Sequence, residues 1–226
     1  MRTLDRAVAA VEKHGALLVF PHANKAEPKA LWHVLHPRSE MRWAWDDGAD
    51  PRVAALWHLR SALSEDERVV YTKWLQGRAT LLSLPVFRAM LGALRARGDL
   101  RARLSRDSLA VLDALDDDSP QATRALRDAV GLPGRAHEAA FNRAMKPLWE
   151  RLLVVAAGEV DEGGFPSLAV ASTRVLREDL WSESEPPSEE DAAALEETLS
   201  ERPVFARSWR RVLAKVAAEV AGTRPR

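Results

Sequence analysis

The sequence predicts a mainly α chain with short β-hairpins, an α+β class, and two observations carry that reading. Apolar residues recur at helical spacing in segment after segment, with Ser, Thr or Pro at the starts and Gly at the stops. Short leucine- and valine-rich runs break this pattern, among them ALLVF (16–20), VVAAGEV (154–160) and SLAVAST (167–173). The last two flank the glycine-bearing turn DEGGFP, the layout of a hairpin.

In chain order, Thr3 begins a helix to about His14, striped by Leu4, Ala7, Val8 and Val11 and stopped by Gly15. ALLVF is a buried strand ended by Pro21. Leu31, Trp32 and Leu35 give a helix from Pro28 to His36, which Pro37 closes. RWAWDDGADP (42–51) is a turn-rich loop, with Asp46 and Asp47 in Asx-type positions. A helix near 51–63 then presents Val53, Leu56, Trp57 and Leu63. VVYTKWL (69–75) fits a strand or a helix, whereas LLSL (81–84) is a strand, and Pro85 starts a helix over 86–98.

From Ser105 the pattern sharpens. Ser105 caps SRDSLAVLDALDD, and Ser119 is expected to cap PQATRALRDAVG with Pro120 at its first position. AHEAAFNRAMKPLWERLL, about 136 to 153, is a third helix, which Pro147 kinks or divides. Three helices followed by a hairpin is the order of a winged helix-turn-helix module. Helices followed by strands occur in both halves, so two such modules in tandem are expected, as one fold or as two domains. The expected division is 1–103, 104–180, and 181–226 as an acidic linker (WSESEPPSEED) with C-terminal helices, the last residues 222–226 fraying.

Composition narrows the function classes. There is no cysteine among the 226 residues, which excludes disulfides, thiolate zinc sites and cysteine nucleophiles. No apolar stretch approaches the ~18 residues of a membrane span, so no membrane partner and a cytoplasmic location are expected. The net charge of zero hides an uneven distribution. Residues 1–66 carry 9 basic and 9 acidic side chains, and residues 67–151 carry 15 and 10. Residues 152–201 carry 2 basic and 13 acidic, and residues 202–226 carry 7 and 1. A basic middle can steer a polyanion although the sum is neutral. The basic helix RSWRRVLAK either joins that surface or neutralises the acidic stretch 183–201, and internal neutralisation is the simpler account. No glycine-rich phosphate loop or Gly-x-Ser-x-Gly elbow is present, and no cofactor is expected. His22, His33, His36 and His58 lack a carboxylate at ligand spacing, and no metal site is expected.

GALLVFP (15–21), ALWHVL (30–35), WHLR (57–60) and YTKWLQGRATLLSL (71–84) occur in that order, ahead of LAVLDALDDDSPQATRALRDAVGL (109–132). This series, over about residues 3–180, resembles the AlkZ-related proteins, small relatives of the AlkZ/YcaQ winged-helix DNA glycosylases. The resemblance implies winged-helix modules and kinship with DNA repair. Catalytic members of the broader group carry a Gln-x-Gln or Gln-x-Asp motif that would position water at the sugar carbon. The two glutamines here, in QGR (76–78) and QAT (121–123), do not match it.

Two sets of residues suit a DNA partner. Tyr71, Lys73, Trp74 and Arg78 combine cations with aromatic faces, a set that can hold phosphates and stack a base. The alternative is that Tyr71 and Trp74 are core while Lys73 and Arg78 snorkel to water. On the third helix, Arg135, Asn142, Arg143 and Lys146 are the polar candidates, beside His137, since this helix reads the groove in such modules. Its alternative is a solvated face. Asp161 and Glu162 at the hairpin tip weigh against a phosphate contact there. The expected function is repair-associated DNA binding without the catalytic motif, and it requires a basic strip joining Lys73, Arg78 and Lys146. The competing readings are a divergent glycosylase with an unassigned carboxylate base, and a non-catalytic scaffold that forms a homodimer or binds another protein through its tryptophan-rich N-terminal half.

Overall fold

Helix α1 (Thr3–His14) buries Ala7, Val8, Ala10 and Val11 and leads through Gly15 into strand β1 (Ala16–Leu18). After α2 (Leu31–Leu35) comes α3 (Pro51–Glu65), whose cap is Asp50 accepting from the Arg52 amide. Strands β2 (Val69–Thr72) and β3 (Thr80–Ser83) form a hairpin, so VVYTKWL is a strand followed by a turn. A computed structural model of the chain describes residues 3–43, 50–160 and 166–221. Asp46, Asp47, Asp161, Glu162 and 222–226 lie outside the described residues.

Helix α4 (Leu84–Arg95) has Pro85 in its first turn and links to α5 (Arg106–Asp117), where the Ser105 hydroxyl accepts the Ser108 amide at 3.1 Å. Then follow β4 (Gln121–Ala122), α6 (Thr123–Ala129), a 3-10 turn at Arg135–His137, α7 (Glu138–Glu150), β5 (Val154–Val160) and β6 (Ser167–Ser172). The first sheet has strand order β1-β3-β2 and the second β4-β6-β5, all antiparallel. One order of elements, helix, strand, two helices and a hairpin, therefore occurs twice, with the same strand order each time.

Two expected helices differ. Ser119 and Pro120 do not start the helix after α5. Gln121 and Ala122 instead pair with Val170 and Ala169, because the edge of β6 offers backbone partners that a longer helix would leave unused. Ser119 Oγ accordingly donates to the Leu115 carbonyl and accepts the Ser172 amide. The expected helix from 136 starts at Glu138 and runs unbroken through Pro147. Pro147 has no amide to give the Arg143 carbonyl, but its own carbonyl accepts the Arg151 amide at 3.0 Å, so the last turn continues past it. Leu152 at φ 56° ends the segment, with the Leu153 amide donating to the Leu148 carbonyl at 3.0 Å.

The two halves pack against each other. β5 carries a bulge between Ala156 and Glu159, and Gly158 there has φ +94°. A Cβ on Gly158 would stand 2.9 Å from the Glu65 carboxylate, which can swing aside, so it is the backbone conformation that favours glycine here. Beside the bulge, Arg60 of α3 pairs with Glu159, both side chains nearly excluded from water. Arg177 donates to the Glu67 carbonyl at 3.0 Å.

The C-terminal segment packs onto the rest of the chain. After β6 come α8 (Thr173–Leu176) and α9 (Glu178–Glu183), then α10 (Glu189–Glu201) and α11 (Pro203–Ala221), so the residues 181–191 expected as linker include the end of α9 and the start of α10. Buried Asp191 of α10 holds Arg88 of α4 through two bonds of 2.8 and 3.0 Å. Glu219 of α11 pairs with buried Arg151 at 2.7 Å. Three carboxylates of the acidic stretch are met from α4, Asp191 and Glu183 by Arg88 and Glu185 by Arg95. Among the described residues no cation of α11 pairs with that stretch, and Lys215 pairs instead with Glu150 of α7.

Candidate functional site

The turn after β2 is built by local chemistry. Gln76 and Gly77 both have positive φ, 56° and 71°, which reverses the chain. The Arg78 amide donates to the Leu75 carbonyl, and the Thr80 hydroxyl closes the turn by accepting the Leu75 amide and donating to the Arg78 carbonyl. Trp74 is tucked beneath. It is 3% exposed, its ring lies 5.0 Å from that of Phe205 and 6.2 Å from that of Trp209, and its indole N–H donates to the Glu150 carbonyl at 3.1 Å. Trp74 thereby fastens the first hairpin to the end of α7 and to α11.

A groove of about 950 Å³ opens along this junction. One wall is the turn, with Lys73, Trp74, Gln76 and Gly77. A second is α6 and α7, with Arg127, Glu138, Asn142, Lys146 and Glu150. A third is α11, with Ser208, Arg211 and Lys215. Glu138, Asn142 and Lys146 succeed each other at i, i+4 and i+8, one polar stripe of α7 along the groove; buried Phe141, Met145 and Trp149 also line it, while Ala144 and Leu148 are buried away from it. Five cations line the groove against two carboxylates. One pair is internal, Lys215 on Glu150 at 2.7 Å. Arg127 is also engaged, bonding the Leu132 and Gly134 carbonyls and covering the Phe141 ring at 5.7 Å, so it stiffens the α6–α7 turn.

Lys73 is half-buried at the inner edge of the turn. Burial, and next the charge of Arg60, lower its pKa from the usual lysine value. It has no hydrogen-bond or ion-pair partner among the described residues.

The residues singled out in the sequence are thus partly gathered. Lys73, Trp74, Asn142 and Lys146 share the groove. Arg143, one position from the stripe, and Arg135, in the 3-10 turn before α7, are exposed outside its lining. Arg78 is exposed on the turn and also outside the lining, so the strip joins Lys73 and Lys146 without it. Tyr71 is 2% exposed and faces a separate cavity of about 250 Å³ with Val155 and Ala156. Burial pushes its phenol pKa up, while the Arg60 guanidinium beside it pulls it back. Neither Tyr71 nor Trp74 offers a free ring face to a base in this conformation, because both rings are packed in the core.

Sequence reasoning missed Arg127, Gln76, Arg211 and Lys215 as groove residues. The signal for the last two was present in the helical spacing of RSWRRVLAK, but their neighbours are distant in sequence. The histidines take local roles. His33 Nδ1 accepts the Ala30 amide at 3.1 Å, and the His36 ring stacks obliquely on Trp32 with centroids 4.5 Å apart. Gln121 spends its amide on the Ala114 and Asp118 carbonyls. Among the described residues no helix is long and apolar enough to cross a membrane.

Comparison with known proteins yields one positive result. A family profile described as AlkZ related matches residues 1–204, which includes everything lining the groove except Ser208, Arg211, Val212 and Lys215 of α11. No curated protein and no solved structure matches the chain. With nearly its whole length matched by that profile, the chain belongs to the AlkZ-related family.

Proposed function

We propose that the protein is a DNA-binding protein of the repair-associated kind, built from two winged-helix halves in tandem. Residues 3–83 form one half and 105–172 the other, and the C-terminal helices brace them. The repeated order of elements with matching strand order supports the fold reading. The observation that carries the functional reading is the groove itself. It places the outward stripe of α7, the helix before the second hairpin, opposite Lys73 and beside Arg211 and Lys215.

In this reading Lys146 and Arg211 hold phosphates, with Arg143 and Arg78 at the margins, and Lys73 lines the groove beside them. Asn142 is the base-edge reader, because its amide can both donate and accept against adenine. Arg135 extends the basic surface ahead of α7. Tyr71 and Trp74 act by shaping the turn that presents Lys73, and stacking on a base would require them to leave the core. The location is cytoplasmic. Family membership supports the repair connection without adding the Gln-x-Gln or Gln-x-Asp motif that the sequence lacks.

The test is fluorescence anisotropy with labelled duplex, single-stranded and abasic-site DNA at two salt concentrations, using wild type and Lys146→Ala/Arg211→Ala. Binding should weaken steeply with salt, and the double variant should lower the slope of log affinity against log salt by about 2, one per lost phosphate contact. Indifference to all three ligands, or an unchanged slope, would reject the groove as the DNA surface. Dimerisation alongside such indifference would favour a protein-interaction role for the N-terminal half.

A further inference from the structure

The cations of the groove are not equivalent. Lys215 is committed to Glu150, Arg127 to backbone carbonyls, and Lys146 stands exposed on α7. Lys73 alone among the groove lysines combines partial burial with the lack of any hydrogen-bond or ion-pair partner among the described residues. Its backbone is fixed on one side by the β2–β3 pairing and on the other by buried Trp74, so the amine is presented from a rigid support.

We propose that Lys73 is an amine nucleophile that captures an aldehyde in this groove as an imine, the aldehyde being the ring-opened sugar of an abasic nucleotide. The second part rests on the DNA-binding reading, and the first does not. A lysine desolvated beside another cation is the environment that favours free amine over ammonium. Burial and the nearby Arg60 charge both act on Lys73 in that direction. A groove of about 950 Å³ has room for a nucleotide displaced from a duplex.

The chemistry balances without a redox partner. The nitrogen lone pair bonds to the aldehyde carbon, and the carbonyl electron pair moves onto oxygen, which takes a proton from water. Nitrogen loses a proton to water, giving a carbinolamine. Departure of that hydroxyl as water, as the carbon–nitrogen double bond forms, leaves the imine. Amine plus aldehyde gives imine plus water, and hydrolysis reverses it. Strand cleavage is not part of the proposal.

The experiment is reductive trapping of the full chain. Sodium cyanoborohydride supplies hydride that converts the imine into a stable secondary amine. With a labelled duplex bearing one abasic site, wild type should give a covalent protein–DNA band on a denaturing gel, and peptide mapping should place it on Lys73. Lys73→Arg removes the nucleophilic amine and places a cation there, which does not oppose a polyanion, so it should bind abasic duplex in the anisotropy assay yet lose the band. Lys25→Arg, at an exposed loop position outside the groove's lining, should retain it. A band of wild-type strength in Lys73→Arg, or binding of abasic duplex without any band, overturns the inference and leaves DNA binding standing. If no DNA binds, the DNA reading fails, and free 2-deoxyribose 5-phosphate with the same reductant tests the amine. Preferential labelling of Lys73 among the six lysines supports a nucleophile for small aldehydes, and labelling no faster than the others overturns it.

Discussion

The two halves share an order of elements and a strand order, yet they use the helix before the hairpin in opposite ways. In the N-terminal half that helix is α3. It buries Val53, Leu56, Leu59, Leu63 and even Arg60, and the residues left exposed in its middle are Ala54, Ala55 and His58. In the second half it is α7, whose exposed face carries Glu138, Asn142, Arg143 and Lys146. The first hairpin is covered by α11 at its turn and by the second half along its strand. Topology alone therefore does not make a recognition surface. Which helix can read a groove depends on which one the rest of the chain leaves uncovered, and on the charges it carries there.

This contrast can be tested hardest at the first hairpin. Trp74→Ala removes a buried indole, its packing on Phe205 and Trp209, and the bond to Glu150, at an expected cost of about 3–5 kcal/mol in denaturant unfolding. A cost below about 1 kcal/mol would mean that the hairpin turn is not part of the common core.

Arg60→Ala should be comparably destabilising, about 3–5 kcal/mol, because it leaves Glu159 charged and buried without its partner. Arg60→Met with Glu159→Leu should recover most of that loss. Equal costs for the single and double variants would show that the two halves are not coupled through this pair.

The α7 face should behave in the opposite manner. Arg143→Ala and Lys146→Ala should leave the unfolding midpoint nearly unchanged while each reduces the salt slope of DNA binding by about 1. On α3, Arg52→Ala and His58→Ala should leave that slope alone. A matching loss from α3 would erase the distinction between the halves.

A smaller effect is expected at the start of the second half. Ser105→Ala removes the cap on the Ser108 amide and should cost about 1 kcal/mol, with Ser105→Asp close to wild type. The smallest concerns His14, at the end of α1. Burial, then the charges of Lys29, Arg202 and Lys13, lower its pKa from 6.5 to about 4. The unfolded chain therefore takes up a proton below 6.5 that the folded chain refuses until about 4, so stability falls as pH drops through that window. His14→Gln should flatten this part of the stability–pH curve, and an unaltered curve would show that His14 is not its source.

Much of this architecture is legible in the residues. The apolar stripe of α1, the cap at Ser105, Pro85 at the start of α4 and the two hairpin runs are set by neighbours within a few positions. So is the outward set Asn142, Arg143 and Lys146, because helical spacing separates it from Phe141, Ala144 and Leu148. Legibility ends where two conformations are locally equivalent. Gln121 and Ala122 suit a helix start, and only the free edge of β6 makes them a strand. Tyr71 and Trp74 suit either a stacking platform or a core, and only the arrival of Arg60, Phe205 and Trp209 from distant segments decides for burial.

The sequence by itself determined the longer helices such as α1, α4, α5 and α11, the cap at Ser105, the second hairpin and the uneven placement of charge, since these follow from periodicity and from bonds between near neighbours. The tertiary structure decided which charges meet. Arg88 and Arg95 take up Glu183, Glu185 and Asp191 of the acidic stretch, while Arg211 of the basic tail helix lines the groove with Lys73 and Lys146. Coulombic attraction has no sequence address. It acts between whichever groups burial brings together.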